Sequence, residues 1–515
     1  MGNRVPKPVP PNTIKEDLFM NDNINTAPCC KGAASLPEME EKAIREYLGH
    51  TDRDNPPGLA RAASGLLASV ADLFDAYNAV CPPGRKLKLP TVPDAAMVAG
   101  ILLRLRHIVN VSHTGVSMDS DTDILAVYME DGPNRGIYST DGCEIRNLAR
   151  ECNSVITSQG LKEVVLILKD RAPRVTECRD LGLVPVNNGI FDYNNKTLLP
   201  FSPECVFLRK CRVDYVPNPA NPVLHNPDDG TDWDVESWMD GLVDDPQGGN
   251  LLWQVAGAAI RPYNGWGKIA LLYGEKGNNG KGSYCVLLRN LCGEGNHAGI
   301  PLCNFSKDFS LGELLHVSAV ITDENDVGGF IDASANLKAV ATNDRVQINR
   351  KFRQPVTCRP WVFIIQCVNE LPRVRDRSDS FYRRLLIIPF AKSFTGGERR
   401  YIKSDYLCRR DVLQYALWKV LHMDYYRLDE PAACRAMLEE YKESNDPVRQ
   451  FWAEFRGRFA WDLLPYRFLY DLYISWSRKY NPGGQALGSR RFNSELRGVV
   501  GDDPDWKAAV SVTTG

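Results

Sequence analysis

The sequence predicts an α/β fold with a small helical domain at its carboxyl-terminal end, and three stretches carry that prediction. LLYGEKGNNGKGSY, which starts at Leu271, leads an apolar strand into a glycine-rich loop and then a helix. Two later apolar strands, in VSAVITDEND and RPWVFIIQCVNELP, end in acids and in an amide. Polar groups at the carboxyl ends of parallel strands gather at one edge of an open sheet, so we expect one site here.

Composition limits the classes of protein that fit. The chain of 515 residues is long enough for about three or four domains. Its 62 basic and 64 acidic residues give a net charge of -2, so a nucleic acid would have to be bound by a local basic patch. Fifteen cysteines without a CxxC pair indicate neither a zinc site nor a disulfide framework. No stretch resembles a membrane span or signal peptide, which predicts a cytoplasmic protein.

The region before the glycine loop divides into a leader and an accessory domain. Residues 1–95 are expected to be disordered and then helical, with one helix over Ser35 to Gly49 and another from Leu59. Residues 96–250 form the α/β accessory domain. In it, AAMVAGILLRLRHIV predicts a helix, and DILAVYM, RGIYST and EVVLIL predict strands. NNGIFDYNNKTLLPFSPE predicts a strand, an Asn-rich turn and a second strand.

SMDSDTD, at Ser117 to Asp123, offers three carboxylates at alternate positions. Such a set can hold the two metal ions of a polymerase or primase centre. A polar loop before the next strand is the favoured interpretation, because no second carboxylate set or histidine accompanies it.

The glycine-rich loop has the composition of a phosphate-binding loop. Its backbone N–H groups can form an anion-binding nest, followed by the positive end of a helix dipole. Lys281 is placed to reach the β and γ phosphates of a nucleotide. The pattern departs from GxxxxGK[ST] in two ways, because Gly274 stands one residue early and Gly282 replaces the hydroxyl residue. The candidate nucleotide-binding residues are Gly274, Gly277, Asn278, Asn279, Gly280, Lys281, Gly282 and Ser283. An ordinary Gly/Asn-rich turn is the alternative.

The polar strand ends supply candidate catalytic residues. Asp323 and Glu324 lie at the end of a strand, 42 residues after Lys281, which leaves room for a helix and a further strand. Asp323 could hold Mg²⁺, with Ser283 as a second metal ligand, and Glu324 could activate the attacking water. Asn369 could hydrogen-bond the γ phosphate or that water. A solvated strand end is the alternative.

A local basic patch lies between these strands, in NDRVQINRKFRQPV. Alternation of apolar and polar residues predicts a hairpin with a charged tip. An aromatic residue among cations suits single-stranded nucleic acid, whose phosphates take the charge and whose bases stack. The candidate DNA-binding residues are Arg345, Arg350, Lys351, Phe352 and Arg353. A solvated charged hairpin is the alternative.

Arg383 and Arg384 immediately precede another apolar strand, in DSFYRRLLIIPF. Two cations are costly there without partners. One of them could be an arginine finger that completes the site of a neighbouring subunit. A structural salt bridge is the alternative for either residue.

The ordered set GEKGNNGKGS, ITDEND, NRKF, CVNELP and FYRRL resembles the superfamily 3 helicases of the phage and plasmid primase-helicase family, related to the poxvirus primase-helicase. The resemblance covers roughly residues 96–400. It implies a P-loop, AAA+-type ATPase core at residues 251–400 that uses ATP and Mg²⁺, assembles into a ring, usually a hexamer, and translocates along DNA. It also implies the same roles for Lys281, Asp323, Glu324 and Asn369, a pore hairpin at Arg350-Lys351, and a finger at Arg383 or Arg384.

The function that this resemblance implies is an ATP-dependent DNA helicase for replication of a phage, plasmid or integrated mobile element in a bacterial cell. Its substrates would be single-stranded and forked DNA. The roughly 95 residues before the accessory region are too few for a primase domain of ordinary size, so we expect a separate primase as a partner. The alternative is a nucleotide-switched DNA-binding initiator or assembly factor that unwinds nothing.

The carboxyl-terminal region is predicted to be helical. Residues 401–445 form a connector, and residues 446–515 hold three helices, in DPVRQFWAEF, PYRFLYDLYISWSRKYN and SRRFNSELRGVV. The last helix would expose Arg490, Arg491 and Arg497, which suits a winged-helix or helix-turn-helix domain. A plain helical packing domain is the alternative.

Overall fold

The computed structural model describes residues 36–508, apart from 53–55, 83, 85, 113–121, 264, 326–329, 332–333, 352, 375, 377, 481–485 and 502. Within this part of the chain, no helix is both long and apolar enough to cross a membrane.

The first part of the chain packs helices against a four-stranded sheet of order β3-β2-β1-β4. Its buried core runs without a break from Ala43 to Ala172, so the two leader helices share one core with the start of the accessory region. The elements are α1 (Leu36–Gly49), α2 (Leu59–Val80), α3 (Ala95–Leu105), β1 (Ile108–Val111), β2 (Ile124–Tyr128), β3 (Tyr138–Ser139), α4 (Gly142–Cys152), α5 (Ser158–Arg171) and β4 (Arg174–Val175).

Two local predictions fail in this part. EVVLIL lies inside helix α5 and not in a strand, because Thr157 caps the helix and Leu161, Val164 and Leu168 bury one helical face. The predicted helix AAMVAGILLRLRHIV ends at Leu105, and its last residues enter strand β1.

The middle of the chain forms small antiparallel sheets and two helices that lead into the core. NNGIFDYNNKTLLPFSPE folds as predicted, with β6 and β7 paired across the Asn-rich turn. Helix α7 crosses residue 250, the predicted end of the accessory domain, and joins a core cluster that extends to Cys434. The elements are β5 (Leu183–Val186), β6 (Gly189–Asp192), β7 (Thr197–Leu199), β8 (Leu224–Asn226), β9 (Thr231–Trp233), α6 (Val235–Gly241) and α7 (Pro246–Ile260).

A five-stranded, wholly parallel sheet of order β11-β12-β16-β10-β18 forms the centre of the molecule. Successive side chains of β10 alternate between two cores, with Ala270 and Leu272 on one face and Ile269 and Leu271 on the other. The elements are β10 (Ile269–Tyr273), α8 (Lys281–Cys292), β11 (His297–Ala298), β12 (Ala319–Thr322), β13 (Phe330–Ile331), α9 (Ala335–Ala341), β14 (Val346–Arg350), β15 (Arg353–Cys358), β16 (Phe363–Val368), β17 (Arg373–Val374), α10 (Asp379–Tyr382) and β18 (Leu385–Pro389).

The register of this sheet brings three strand ends together. Tyr273 pairs with Val368, and Thr322 pairs with Gln366, so β10, β16 and β12 end at the same edge. Because β16 lies between the other two, the residue that follows it stands between the glycine loop and the acidic pair. The predicted convergence of the three polar strand ends is confirmed.

Helices form the carboxyl-terminal part. The last three pack around their own aromatic core, which includes Phe451, Tyr473 and Phe492. They coincide with the three predicted helices, and among the described residues no strand follows β18, so the described part contains no wing. The elements are α11 (Arg400–Ser404), α12 (Arg410–His422), α13 (Ala432–Asn445), α14 (Pro447–Phe455), α15 (Tyr466–Tyr480) and α16 (Ser489–Gly501).

Candidate active site

The glycine-rich loop joins β10 to α8, and the helix begins at Lys281. Gly280 takes the N-cap position with φ +88°, a backbone conformation that favours glycine. A Cβ at this residue would also lie 2.5 Å from Leu242 Cδ2. Both the backbone angle and the packing at position 280 therefore require glycine. The N-terminus of α8 faces the loop.

Gly274 is required by close packing. A Cβ there would lie 2.3 Å from Asn279 Nδ2 and 2.7 Å from the Phe390 carbonyl oxygen. The Gly274 carbonyl in turn accepts a 2.7 Å hydrogen bond from Lys281 Nζ, which closes the loop. Gly274, which stands one residue early in the pattern, therefore lies where the loop backbone contacts the Asn279 side chain and the Phe390 carbonyl.

The rest of the loop is held from outside. Asn278 has φ +52° and donates from Nδ2 to Glu398 Oε1 at 2.8 Å, while its carbonyl accepts from Phe394 N–H at 2.8 Å. Asn279 is buried and donates to the Lys276 carbonyl at 2.8 Å. The hydrogen bonds of Asn278 and Asn279 therefore hold the loop in its conformation. Glu398, which accepts one of these bonds, was not predicted from the sequence.

Lys281 is the centre of the site. Its ammonium is buried and donates to the Gly274 carbonyl at 2.7 Å and to Asn369 Oδ1 at 2.9 Å. Burial lowers the pKa of Lys281 from its ordinary value. An ammonium has three N–H donors, so two of these fix its direction and one remains to bind an anion in front of the helix. Asn369 lies beside Lys281, as its place at a strand end predicts.

Asp323 lies on the other side of the helix start. A Cβ on Gly282 would be 3.3 Å from Asp323 Oδ1 and 3.3 Å from Lys403 Nζ. Arg289 Nη1 is 3.8 Å from Asp323 Oδ2. A side chain at position 282 would therefore crowd the acid and the lysine, and the glycine that replaces the usual hydroxyl residue lets both approach the helix start. Ser283 follows it on α8 and is half-buried.

Two of these cations were missed by sequence reasoning. Arg289 follows Lys281 at a spacing of eight residues, which is two helical turns, so the helical period could have found it. Lys403 comes from α11, more than a hundred residues away, and no local pattern points to it. Both add positive charge around Asp323.

The end of β12 is fixed by Asn325. Its Nδ2 donates to Gln366 Oε1 at 3.0 Å and to the Cys367 carbonyl at 2.9 Å, and its Oδ1 accepts from Leu302 N–H at 2.9 Å. This amide was not singled out from the sequence, although it holds the acidic strand end against β16. Glu324, between Asp323 and Asn325, is exposed.

A pair of cysteines lies beneath the loop. Cys285 Sγ and Cys367 Sγ are 3.3 Å apart, and both lie within 4.8 Å of an Asp323 carboxylate oxygen. Cysteine spacing predicted no metal site, but the fold brings together donors that lie 82 residues apart in the chain. No linear spacing in the sequence indicates this grouping.

Arg383 and Arg384 do not join the site of their own chain. Ile269 pairs with Leu385, so both arginines lie at the amino end of β18, at the edge opposite the glycine loop. Arg383 is exposed, and its carbonyl accepts from Lys268 Nζ at 2.8 Å. Arg384 is half-buried, and its Nη1 donates to Ser380 Oγ at 2.7 Å.

The basic hairpin forms as predicted. β14 and β15 pair antiparallel, and Val346, Ile348 and Val356 bury one face. The register sets Arg350 opposite Arg353, with exposed Lys351 in the turn between them. Arg345 is exposed at the base of the hairpin; Phe352 and the side chain of Arg353 lie outside the described residues.

The carboxylates of SMDSDTD lie mostly outside the described residues. Asp123 is described and buried, and it accepts from Arg174 Nη2 at 3.0 Å. A structural ion pair accounts for Asp123, which agrees with the favoured interpretation as a loop.

The parallel sheet, the glycine loop and the buried lysine define an α/β protein with a candidate anion-binding site at the carboxyl edge of its sheet. Within that class, two family models match parts of the chain. Residues 272–384, which hold the loop, the acidic pair and the hairpin, match the model described as "Family of unknown function (DUF5906)". Residues 443–510, the three-helix domain, match the model described as "Poxvirus D5 protein-like". The second match supports the predicted relationship to the helicase–primase group.

Several solved structures overlap loosely with this chain. An apo structure of the NrS-1 C-terminal region (305–718) is 13% identical, with a TM-score of 0.42 over 77% of this chain and 98% of that one. Another apo structure of the NrS-1 C-terminal region has a TM-score of 0.39 at 14% identity, over 74% and 81% of the two chains. A JCV helicase bound to a small molecule has a TM-score of 0.25 at 17% identity, over 43% and 64%. Overlaps this loose carry no inference about the site.

Proposed function

We propose that the protein is a ring-forming, ATP-dependent DNA helicase of the superfamily 3 type that acts in replication. The observation that carries the proposal is the Lys281 ammonium. It is fixed by the Gly274 carbonyl and Asn369 Oδ1 at the first residue of α8, and the Asp323 carboxylate lies beside the next residue, Gly282. A fixed cation at a helix N-terminus beside a carboxylate suits a nucleotide phosphate and its metal ion.

The residues of the site divide the chemistry of ATP hydrolysis among them. The loop N–H groups and the third N–H of Lys281 would bind the β and γ phosphates. Asp323 and Ser283 would hold Mg²⁺, which supplies charge neutralisation on the phosphates when bound. Glu324 would take a proton from the attacking water, and Asn369 would orient that water while holding Lys281. Arg289 and Lys403 would add positive charge beside the bound phosphates.

The basic hairpin supports the DNA part of the proposal. Arg350 and Arg353 stand opposite each other across the two strands, with Lys351 at the turn. Cations gathered at the turn of a hairpin can bind the phosphates of a single-stranded nucleic acid. A strand of DNA in the centre of a ring would supply those phosphates. The poxvirus D5-like match of the three-helix domain points to the same group of replication enzymes.

A second function is favoured by the three-helix domain itself. Arg490 and Arg491 are exposed at the start of α16, where a helix-turn-helix module places its DNA contacts. In that case the chain would be a nucleotide-switched initiator or assembly factor that binds duplex DNA without separating its strands.

Strand displacement on a forked duplex with ATP and Mg²⁺ separates the two functions. We expect the wild type to release the labelled strand and Lys281→Ala to release none. Lys162→Ala, which removes an exposed lysine from the surface of α5, is the matched control and should unwind like the wild type. ATP-dependent duplex binding without strand release would establish the initiator in place of the helicase.

A further inference from the structure

Two cysteines and an aspartate form a compact cluster behind Lys281. Cys285 Sγ and Cys367 Sγ are 3.3 Å apart, and with an Asp323 carboxylate oxygen they all lie within 4.8 Å of one another. Cys285 is 0% exposed and Cys367 is 3% exposed, whereas the Asp323 side chain is 31% exposed. The proposed ATP chemistry gives neither thiol a part.

We propose that this cluster is a binding site for a thiophilic divalent cation such as Zn²⁺ or Cd²⁺, with water as the fourth ligand. Two thiolates and one carboxylate are a donor set for soft or borderline ions. Mg²⁺ prefers oxygen ligands alone and would gain nothing from the sulfurs. The cluster therefore discriminates by chemistry between the two kinds of cation.

The geometry needs little change to accept such an ion. Zinc–sulfur bonds of about 2.3 Å in tetrahedral coordination place two sulfurs about 3.8 Å apart, so the thiols have to separate by only about 0.5 Å. Both thiols stand on regular elements, Cys285 one turn after Lys281 on α8 and Cys367 near the end of β16. The partly exposed carboxylate leaves one side open for entry and for a water ligand.

The charges around the cluster fit the bound state. As the cation binds, each thiol releases its proton to solvent, and two thiolates, one carboxylate and one divalent ion leave a single net negative charge. Arg289 Nη1 lies 3.8 Å from Asp323, and the Lys281 ammonium is close enough to interact with both thiols and the carboxylate. These two cations offset the charge of the complex.

Occupation of the cluster would compete with ATP hydrolysis. Two divalent cations on one Asp323 carboxylate repel each other, so each should weaken the binding of the other by the same factor. This consequence rests on the proposed function, whereas the binding of the thiophilic ion does not.

The test is Zn²⁺ binding to the reduced full-length chain without nucleotide, by competition with a chromophoric chelator. We expect one ion at this cluster, with affinity lowered roughly tenfold or more by Cys367→Ala and by Asp323→Asn. Cys143→Ser, which removes an exposed thiol on α4, is the matched control and should bind like the wild type. Cd²⁺ should give thiolate-to-metal charge-transfer absorption that is lost in Cys367→Ala.

Equal Zn²⁺ affinity in the wild type and a folded Cys367→Ala would overturn the inference. If that variant does not fold, the wild-type Cd²⁺ spectrum decides, because bound Cd²⁺ without thiolate absorption excludes the two sulfurs. Failure of this inference is distinguishable from failure of the proposed function. A chain that hydrolyses ATP but binds no Zn²⁺ contradicts only the metal site, and one that binds Zn²⁺ but hydrolyses no ATP contradicts only the helicase.

Discussion

At the scale of single residues, the hydrogen bond from Lys281 Nζ to Asn369 Oδ1 connects the start of α8 to the residue that follows β16. The amide gives the ammonium a direction, and burial makes that direction costly to lose because an unpaired buried ammonium is unfavourable. Lys281 was predicted from the glycine-rich loop, and Asn369 from its place at a strand end. Their contact was not, because 88 residues separate them and only the register of β10 with β16 brings them together.

Lys281→Ala and Glu324→Gln should fail in different ways. Removing Lys281 takes away a phosphate ligand, so we expect weaker ATP binding and no hydrolysis. Glu324→Gln keeps the phosphate contacts but cannot accept a proton, so binding should persist while turnover falls by about 10²-fold or more. Binding of a fluorescent ATP analogue, measured beside phosphate release, distinguishes the two defects. An unchanged ATPase rate in Glu324→Gln would remove Glu324 from its proposed role.

At the scale of elements, the spacing of apolar residues predicted the helices and strands that bury one face at a regular interval. Helix α2 and the basic hairpin are examples, because each buries one face at its own regular spacing. EVVLIL in α5 was mistaken for a strand because β-branched residues are common in both buried strands and buried helix faces. The cap at Thr157 and the spacing of Leu161, Val164 and Leu168 decide for the helix.

The basic hairpin is expected to grip single-stranded DNA. Replacing Arg350 and Lys351 by alanine removes two phosphate contacts, so affinity should fall and the log–log salt slope should flatten by about 0.7 per contact. Basal ATPase should persist because the variant leaves Lys281, Asp323 and Asn369 unchanged, whereas DNA stimulation and unwinding should be lost. Lys162→Ala/Lys169→Ala removes two exposed cations of α5 and controls for overall charge. A folded hairpin variant that unwinds forks at the wild-type rate would contradict this role, and α16 would become the better candidate for the DNA contact.

At the scale of the whole molecule, sheet order explains what the sequence could and could not predict about the site. The glycine-rich loop, the acidic pair and the amide follow strands that end at one edge, so the rule that parallel strands end at the same edge predicted their convergence. Packing of α11 against that edge brings Lys403 beside Gly282. Packing of α8 against it brings Cys285 into contact with Cys367. Neither has a spacing that a linear motif could reveal.

The same sheet order places Arg383 and Arg384 at the edge opposite the glycine-rich loop of their own chain. Arg383 stands beside the start of β10, and the glycine-rich loop begins at the other end of that strand, about 13 Å away. Arg383 is exposed on that far edge, whereas Arg384 is half-buried and bonded to Ser380. An arginine so placed can complete only the site of another subunit, and of the two arginines Arg383 is the one free to face a neighbour.

Mixing two inactive variants tests this shared site. Arg383→Ala keeps an intact loop and Lys281→Ala keeps an intact finger, so a ring assembled from equal amounts should contain intact pairs at about a quarter of its interfaces. We expect ATPase activity to return in the mixture although each variant alone is inactive. The double variant Lys281→Ala/Arg383→Ala is the matched control, because mixing it with Arg383→Ala restores no pair. Mixed rings that assemble by mass measurement yet stay inactive would exclude Arg383 as a finger.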